Sequence, residues 1–94
     1  MTRDPLTDAE VAAAGLDGWA HEDGRLRRTV TAASFPEAIA LVNTVAAVAE
    51  ELDHHPDMDV RYRDVTFACW THTAGGVTEY DVALARRIDE LAGA

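Results

Sequence analysis

The chain has 94 residues, of which 48% are hydrophobic, and its 8 basic and 17 acidic residues give a formal net charge of −9. This length indicates one domain, residues 1–94, and the acidic balance disfavours nucleic-acid binding, which needs clustered basic side chains. With one cysteine, no apolar leader and no apolar run long enough to cross a bilayer, the chain is expected to be cytoplasmic, without membrane contact or an intrachain disulfide.

The N-terminal part of the chain predicts a short helix and a hairpin. Thr7 and Glu10 have the spacing of a capping box, which predicts a helix over residues 8–14. Asp23-Gly24 then joins two strand-like runs. This dipeptide predicts a type I′ turn, because both central residues of that turn need a positive φ.

The longest helix is predicted to begin after Ser34. Ser34 and Glu37 have capping-box spacing, and Pro36 stands at an early position that tolerates proline. Apolar residues then recur in steps of three and four, the period of one helical face: Phe35, Ala38, Ile39, Val42, Val45, Ala46, Ala49 and Leu52. His55-Pro56 is predicted to end this helix, because the residue before a proline avoids the helical region.

A second hairpin is predicted after the long helix. Its strands are expected over residues 58–62 and 65–71, around a turn at Arg63-Asp64. Side chains of a strand point alternately to its two faces. One face of the second strand is therefore expected to carry Val65, Phe67 and Cys69.

Thr78 and Asp81 predict the start of a last helix, with a hydroxyl cap and a carboxylate in the first turn. Its buried stripe is expected to comprise Val82, Ala85, Ile88, Leu91 and Ala92. The element order is then α-β-β-α-β-β-α. Hairpins imply antiparallel pairing, and apolar helix stripes need a sheet face to cover. The predicted fold class is α+β, a single four-stranded antiparallel sheet with three helices packed on one face.

Three histidines are the candidates for chemistry. His54 and His55 stand at the end of the long helix beside several carboxylates, and His72 ends a strand just before Gly75-Gly76. Histidine gives or takes a proton near neutrality because its ordinary pKa is about 6.5. A site with an acid and a base, and without a nucleophile, suits proton-coupled elimination or isomerisation.

Other interpretations stay open on pattern alone. His54 and His55 can be favourable charges at a helix C-terminus, and His72 can be a structural strand-end residue. Three histidines and a carboxylate could also hold zinc, although neither an HExxH nor a CxxC spacing is present. Cys69, on the apolar strand face, is interpreted as a buried, unreactive thiol, and Trp19 as a core residue.

The spacing of these residues resembles that of the pterin-4a-carbinolamine dehydratase family. The matching positions are Glu50, the triplet His54-His55-Pro56, Tyr62, His72 and Asp81. Residues 71–78 and 84–89 are similar to the C-terminal half of the family. Gly18-Trp19 and Asp23-Gly24 are similar to its N-terminal half, so the resemblance covers nearly the whole chain.

The resemblance implies dehydration of 4a-hydroxytetrahydropterin to quinonoid dihydropterin and water, in tetrahydropterin recycling. The pterin is the substrate, and neither a metal nor another cofactor is implied. A homodimer or homotetramer is also implied, with the long helix as a candidate interface.

Roles for individual residues follow from the same resemblance. His54 and His72 are expected to form the acid/base pair, and His55 to orient the pterin. The expected substrate-binding residues are Trp19, Asp53, Pro56, Thr71 and Thr73. Glu50 is expected to orient His54 from the preceding helical turn. Asp81 is expected to cap the last helix and hold the loop that carries His72.

The alternative prediction is a non-enzymatic binding or assembly role. The same fold serves as a dimerisation partner of a transcription factor in animals, and dehydratase-like proteins assemble a carboxylase in some bacteria. Retention of all three histidines favours the enzyme. Trp70 departs from the family pattern, which has a smaller residue there, so it is expected to alter either the pocket or a subunit contact.

Overall fold

Three helices and four strands follow one another in the predicted order in the computed structural model, which describes residues 1–93. The elements are α1 (Asp8–Ala13), β1 (Ala20–Glu22), β2 (Arg25–Thr31), α2 (Phe35–Leu52), β3 (Asp57–Arg61), β4 (Asp64–Cys69) and α3 (Glu79–Ala92). The strands form one antiparallel sheet in the order β1-β2-β4-β3. The α+β prediction is confirmed.

The core lies between one face of this sheet and the helices. Val65, Phe67 and Cys69 of β4 are fully buried, as the alternation predicts, and α2 and α3 pack against each other and against β4. α1 adds Val11 to the same core. The predicted stripe of α3 omits Leu84, which is fully buried because this helix contacts both α2 and the sheet.

The first hairpin turn has the predicted geometry and the second does not. Asp23 and Gly24 have φ of 52° and 71°, both positive as a type I′ turn requires. In the second hairpin the turn lies at residues 62–63, one position earlier than predicted, and Tyr62 has a φ of 53°. Asp64 instead belongs to β4, where its carboxylate accepts a hydrogen bond of 2.6 Å from the Thr31 hydroxyl.

The end of α2 determines where the histidines go. The helix ends at Leu52, three residues before the predicted boundary, because Asp53 adopts the left-handed conformation (φ 50°, ψ 44°). The His54 amide donates to the Ala49 carbonyl at 3.0 Å, the closing bond of a Schellman motif. His54 and His55 are therefore not helical residues, and the chain leaves the path of the helix immediately before them.

At its other end α2 begins at the predicted position, with the Ser34 hydroxyl accepting a hydrogen bond from the Glu37 amide at 3.2 Å. The second bond of the predicted capping box, from the Ser34 amide to the Glu37 carboxylate, is not formed. Phe35 and Ile39 belong to the predicted apolar stripe, yet 48% and 37% of their surfaces are exposed. Within residues 1–93, no helix combines the length and the apolar character that crossing a bilayer would require.

Candidate active site

The three histidines meet at one cleft of about 220 Å³, although they come from two distant segments of the chain. The residues around it are Arg3, Asp53, His54, His55, Trp70, Thr71, His72 and Thr73. The turn after α2 supplies one wall and the segment after β4 the other. A larger cavity of about 520 Å³ between α1 and α3 is lined without any histidine.

His54 is the most tightly held of the three histidines. Its side chain is 8% exposed, and its Nε2 lies 2.5 Å from Oδ1 of Asp81, which is fully buried. The other carboxylate oxygen, Oδ2, accepts hydrogen bonds of 2.8 Å from the Thr71 hydroxyl and the Thr78 amide. The three hydrogen-bond partners of the carboxylate, from His54, Thr71 and Thr78, thus serve as donors, because an ionised carboxylate can only accept.

This arrangement determines the tautomer of His54. Because Asp81 accepts, the proton of the neutral ring belongs on Nε2, and the lone pair lies on Nδ1. Asp81 also retains its predicted cap, since the Thr78 hydroxyl and the Asp81 carboxylate form the capping box of α3. One residue therefore joins the start of α3 to the cleft.

The predicted pairing of Glu50 with His54 is wrong. Oε1 of Glu50 instead lies 2.6 Å from Nε2 of His55. The physical reason is that α2 ends at Leu52 and Asp53 is left-handed. His54 therefore does not lie one helical turn beyond Glu50, where the prediction placed it. The side chains of His55 and Glu50 are 57% and 78% exposed, so this pair lies in solvent.

His72 lies in a four-residue turn closed by the bridge between Thr71 and Gly76. The Thr71 amide donates to the Gly76 carbonyl at 2.8 Å across the base of this turn. The exposed imidazole stacks on the indole of Trp70, with 3.9 Å between ring centroids and 22° between the planes. Trp70 thus points toward the cleft, the first of the two placements that the sequence left open for it.

Among the predicted substrate-binding residues, Asp53, Thr71 and Thr73 line the cleft, whereas Pro56 and Trp19 do not. The indole nitrogen of Trp19 instead donates to Oδ1 of Asp89 at 3.0 Å, so a contact of Trp19 with the pterin stays a prediction. Asp89 follows Asp81 by eight residues, roughly 12 Å further along α3. Pro56 leads the chain away into β3.

Two residues at the site had no signal in the sequence. The Arg3 guanidinium donates from Nη2 to the Asp53 carbonyl at 3.0 Å and lies 4.2 Å above the ring of Tyr80. The Tyr80 ring is in turn 5.6 Å from that of His54. Arg3 and Asp53 are 50 residues apart in the chain, so no local pattern connects them.

Cys69 is fully buried, and burial raises the pKa of its thiol well above the ordinary range, with the nearby charge of Asp81 adding to this effect. This agrees with its interpretation as an unreactive thiol. Among residues 1–93, no three histidine, cysteine, aspartate or glutamate side chains are grouped closely enough to hold a metal ion.

Fold and site together define a small α+β protein whose cleft carries histidines supported by carboxylates. Residues 4–91 match the family model described as Pterin 4 alpha carbinolamine dehydratase. A Nocardia farcinica protein named "Putative pterin-4-alpha-carbinolamine dehydratase" is 52% identical over 94 residues, covering 98% of this chain and 99% of that protein. A Mycobacterium avium protein of the same name is 50% identical over 90 residues, covering 94% and 96%. The chain belongs to the pterin-4-alpha-carbinolamine dehydratase family, whose name denotes a hydro-lyase activity.

Solved structures agree with this assignment. The crystal structure of a transcriptional coactivator/pterin dehydratase from Brucella melitensis superposes with a TM-score of 0.91 and 34% identity, covering 96% of this chain and all of that chain. A pterin dehydratase-like protein identified as a RuBisCO assembly factor in the alpha-carboxysome superposes with a TM-score of 0.67 and 25% identity, covering 81% and 88%.

Proposed function

We propose that this protein dehydrates 4a-hydroxytetrahydropterin to quinonoid dihydropterin and water in tetrahydropterin recycling. The observation that carries the proposal is the convergence of His54 and His72 on one cleft, from segments 18 residues apart (72 − 54). The pterin is the substrate, and the reaction needs neither a metal nor another cofactor. The two imidazoles supply the proton donor and the proton acceptor.

The chemistry requires two proton transfers. The C4a–O bond breaks, its electron pair leaves with the hydroxyl oxygen, and a general acid protonates that oxygen to give water. The N5–H proton passes to a general base, and the nitrogen electrons form the new double bond to C4a. His54 suits the base because Asp81 holds Nε2–H and stabilises the imidazolium that forms when Nδ1 accepts a proton. His72 then serves as the acid.

His55 is assigned to orientation of the pterin. Its exposed imidazole lines the cleft and is paired with Glu50 rather than with a buried group. Asp53 and Thr73 line the same cleft and are assigned to pterin binding. Thr71 contributes indirectly, because its hydroxyl is buried against Asp81.

A dehydration assay with 4a-hydroxytetrahydropterin tests the proposal. We expect purified protein, at catalytic concentration, to accelerate loss of the substrate by at least about 10²-fold, the typical contribution of one positioned proton transfer. Formation of the quinonoid product is followed by absorbance against the spontaneous reaction. An unchanged rate at saturating substrate would remove the proposed activity.

Glu50 and Glu51 offer a matched pair for the role of His55. Glu50→Ala removes the carboxylate 2.6 Å from the imidazole, and we expect KM for the pterin to rise about 1.4–5-fold, since exposed pairs contribute about 0.2–1 kcal/mol. Glu51 is the adjacent exposed residue of α2. Glu51→Ala is expected to leave KM unchanged, and equal effects of the two substitutions would argue against orientation by His55.

The second candidate is a non-enzymatic binding or assembly role, favoured by the likeness to the RuBisCO assembly factor. The assay above separates the two candidates. Acceleration that depends on the histidines supports the enzyme. Binding of a pterin without turnover would favour the non-enzymatic role.

A further inference from the structure

Trp70 is the least expected side chain at the cleft and is held by three separate contacts. Its indole nitrogen donates to Oδ2 of Asp57 at 2.8 Å. The guanidinium of Arg25 lies 4.3 Å above its ring, and the imidazole of His72 stacks on it at 3.9 Å. A cation over an indole and two near-parallel aromatic rings are both attractive arrangements, so the ring has a defined position.

The sheet register explains how these residues meet. Leu26 of β2 pairs with Cys69, so Arg25 and Trp70 stand next to each other at the end of that ladder. Asp57 is the first residue of β3, on the other side of β4, and pairs with Ala68. Trp70 therefore follows the central strand between two neighbours that both supply a contact to it.

The imidazole of His72 is held by stacking on Trp70, whereas the imidazoles of the other two histidines are held by carboxylates. His54 is buried against Asp81, and His55 is paired with Glu50. Within residues 1–93, no hydrogen bond joins the His72 ring nitrogens to another side chain, and the residue is exposed in a turn. The Trp70 indole is thus the group that restricts the orientation of its imidazole.

We propose that Trp70 is a positioning residue, which holds the imidazole of His72 in the orientation that proton transfer to the pterin requires. Arg25 and Asp57 in turn hold the indole of Trp70 in place. The inference rests on the proposed dehydration. Trp70 acts through His72 rather than by a hydrogen bond to the pterin, because its single polar group is already bound to Asp57. Its ring keeps both nitrogens of His72 free for chemistry while restricting rotation of the imidazole.

Steady-state kinetics test this role. Displacement of a reacting group by about 1 Å can cost about 10²-fold, so we expect Trp70→Ala to lower kcat by about 10–10²-fold and to change KM by less than about twofold. Trp70→Phe keeps a stacking ring and is expected to restore kcat to within about threefold of the unmodified enzyme. In a His72→Ala background, Trp70→Ala is expected to have no further effect, because residues that act as one unit are not additive.

Asp57 and Asp59 provide a matched control on β3, two residues apart and both exposed. Asp57→Ala removes the acceptor of the indole hydrogen bond and is expected to lower kcat by about threefold, the effect of losing a modest hydrogen bond. Asp59 instead pairs with Arg61 at 3.3 Å, and Asp59→Ala is expected to leave kcat unchanged. Equal kcat in all these variants and the unmodified enzyme would overturn the inference.

A measurement without turnover separates this inference from the proposed function. In a proton NMR spectrum, the ring protons of His72, assigned by their loss in His72→Ala, are expected to shift upfield under the indole ring current. The shift is expected to disappear in Trp70→Ala and to persist in Trp70→Phe. Its absence from the unmodified protein would overturn the positioning role, whereas an inactive protein with a normal shift would overturn only the dehydration.

Discussion

Replacing His54 and His72 together with alanine is expected to return dehydration of the pterin to its spontaneous rate. Each positioned proton transfer contributes typically about 10²–10⁴-fold, and the double variant lacks both the donor and the acceptor. We expect each single variant to lose most of the activity, with losses that do not add, because the two transfers belong to one elimination. Initial rates at saturating pterin give the three values.

The control for this prediction is His21→Ala. The imidazole of His21 lies 4.0 Å from the Asp8 carboxylate and outside the cleft, and its removal is expected to leave kcat unchanged. Because His54 is buried, its alanine variant also leaves one oxygen of Asp81 without its donor. His54→Gln, which retains an N–H donor but cannot serve as a base, keeps the test interpretable if the alanine variant unfolds. Full activity of the double variant, in a folded protein, would refute the acid/base assignment.

Asp81→Asn is expected to lower kcat by about 10²-fold or more, with KM little changed. The carboxylate accepts from three donors, whereas an amide presents only one oxygen. If that oxygen retains Thr71 and Thr78, the amide N–H₂ faces Nε2 of His54. The imidazole must then carry its proton on Nδ1, and the lone pair assigned to the base is lost.

The same substitution is expected to reduce the free energy of unfolding by about 1–3 kcal/mol, the cost of leaving a buried donor poorly satisfied. Asp89→Asn is the matched control, since Asp89 lies on the same helix and accepts from the Trp19 indole and Arg28, at 3.0 Å and 3.1 Å. We expect Asp89→Asn to lower the stability without a comparable loss of kcat at temperatures where both variants are folded. Equal kcat values for the two variants would reduce Asp81 to a structural cap.

Local signals account for the parts of the fold that were predicted correctly. The capping boxes at Thr7 and Thr78 and the Asp23-Gly24 turn each depend on residues within three positions of one another. The alternation along β4 likewise needs only one strand. The turn of the second hairpin lies one residue earlier than predicted because Tyr62 adopts a positive φ, which a tyrosine does not signal in the sequence.

The sequence by itself determined the order of the elements, the α+β class and the three histidines as candidates, because caps, periodicity and motif spacing are local or positional properties. Only the tertiary structure decided which carboxylate each histidine contacts. Asp81 pairs with His54 across 27 residues, and Glu50 pairs with His55, because the left-handed Asp53 ends the helix just before both histidines. The hydrogen-bond partner of a side chain depends on its direction in space, and one backbone angle after a helix sets that direction.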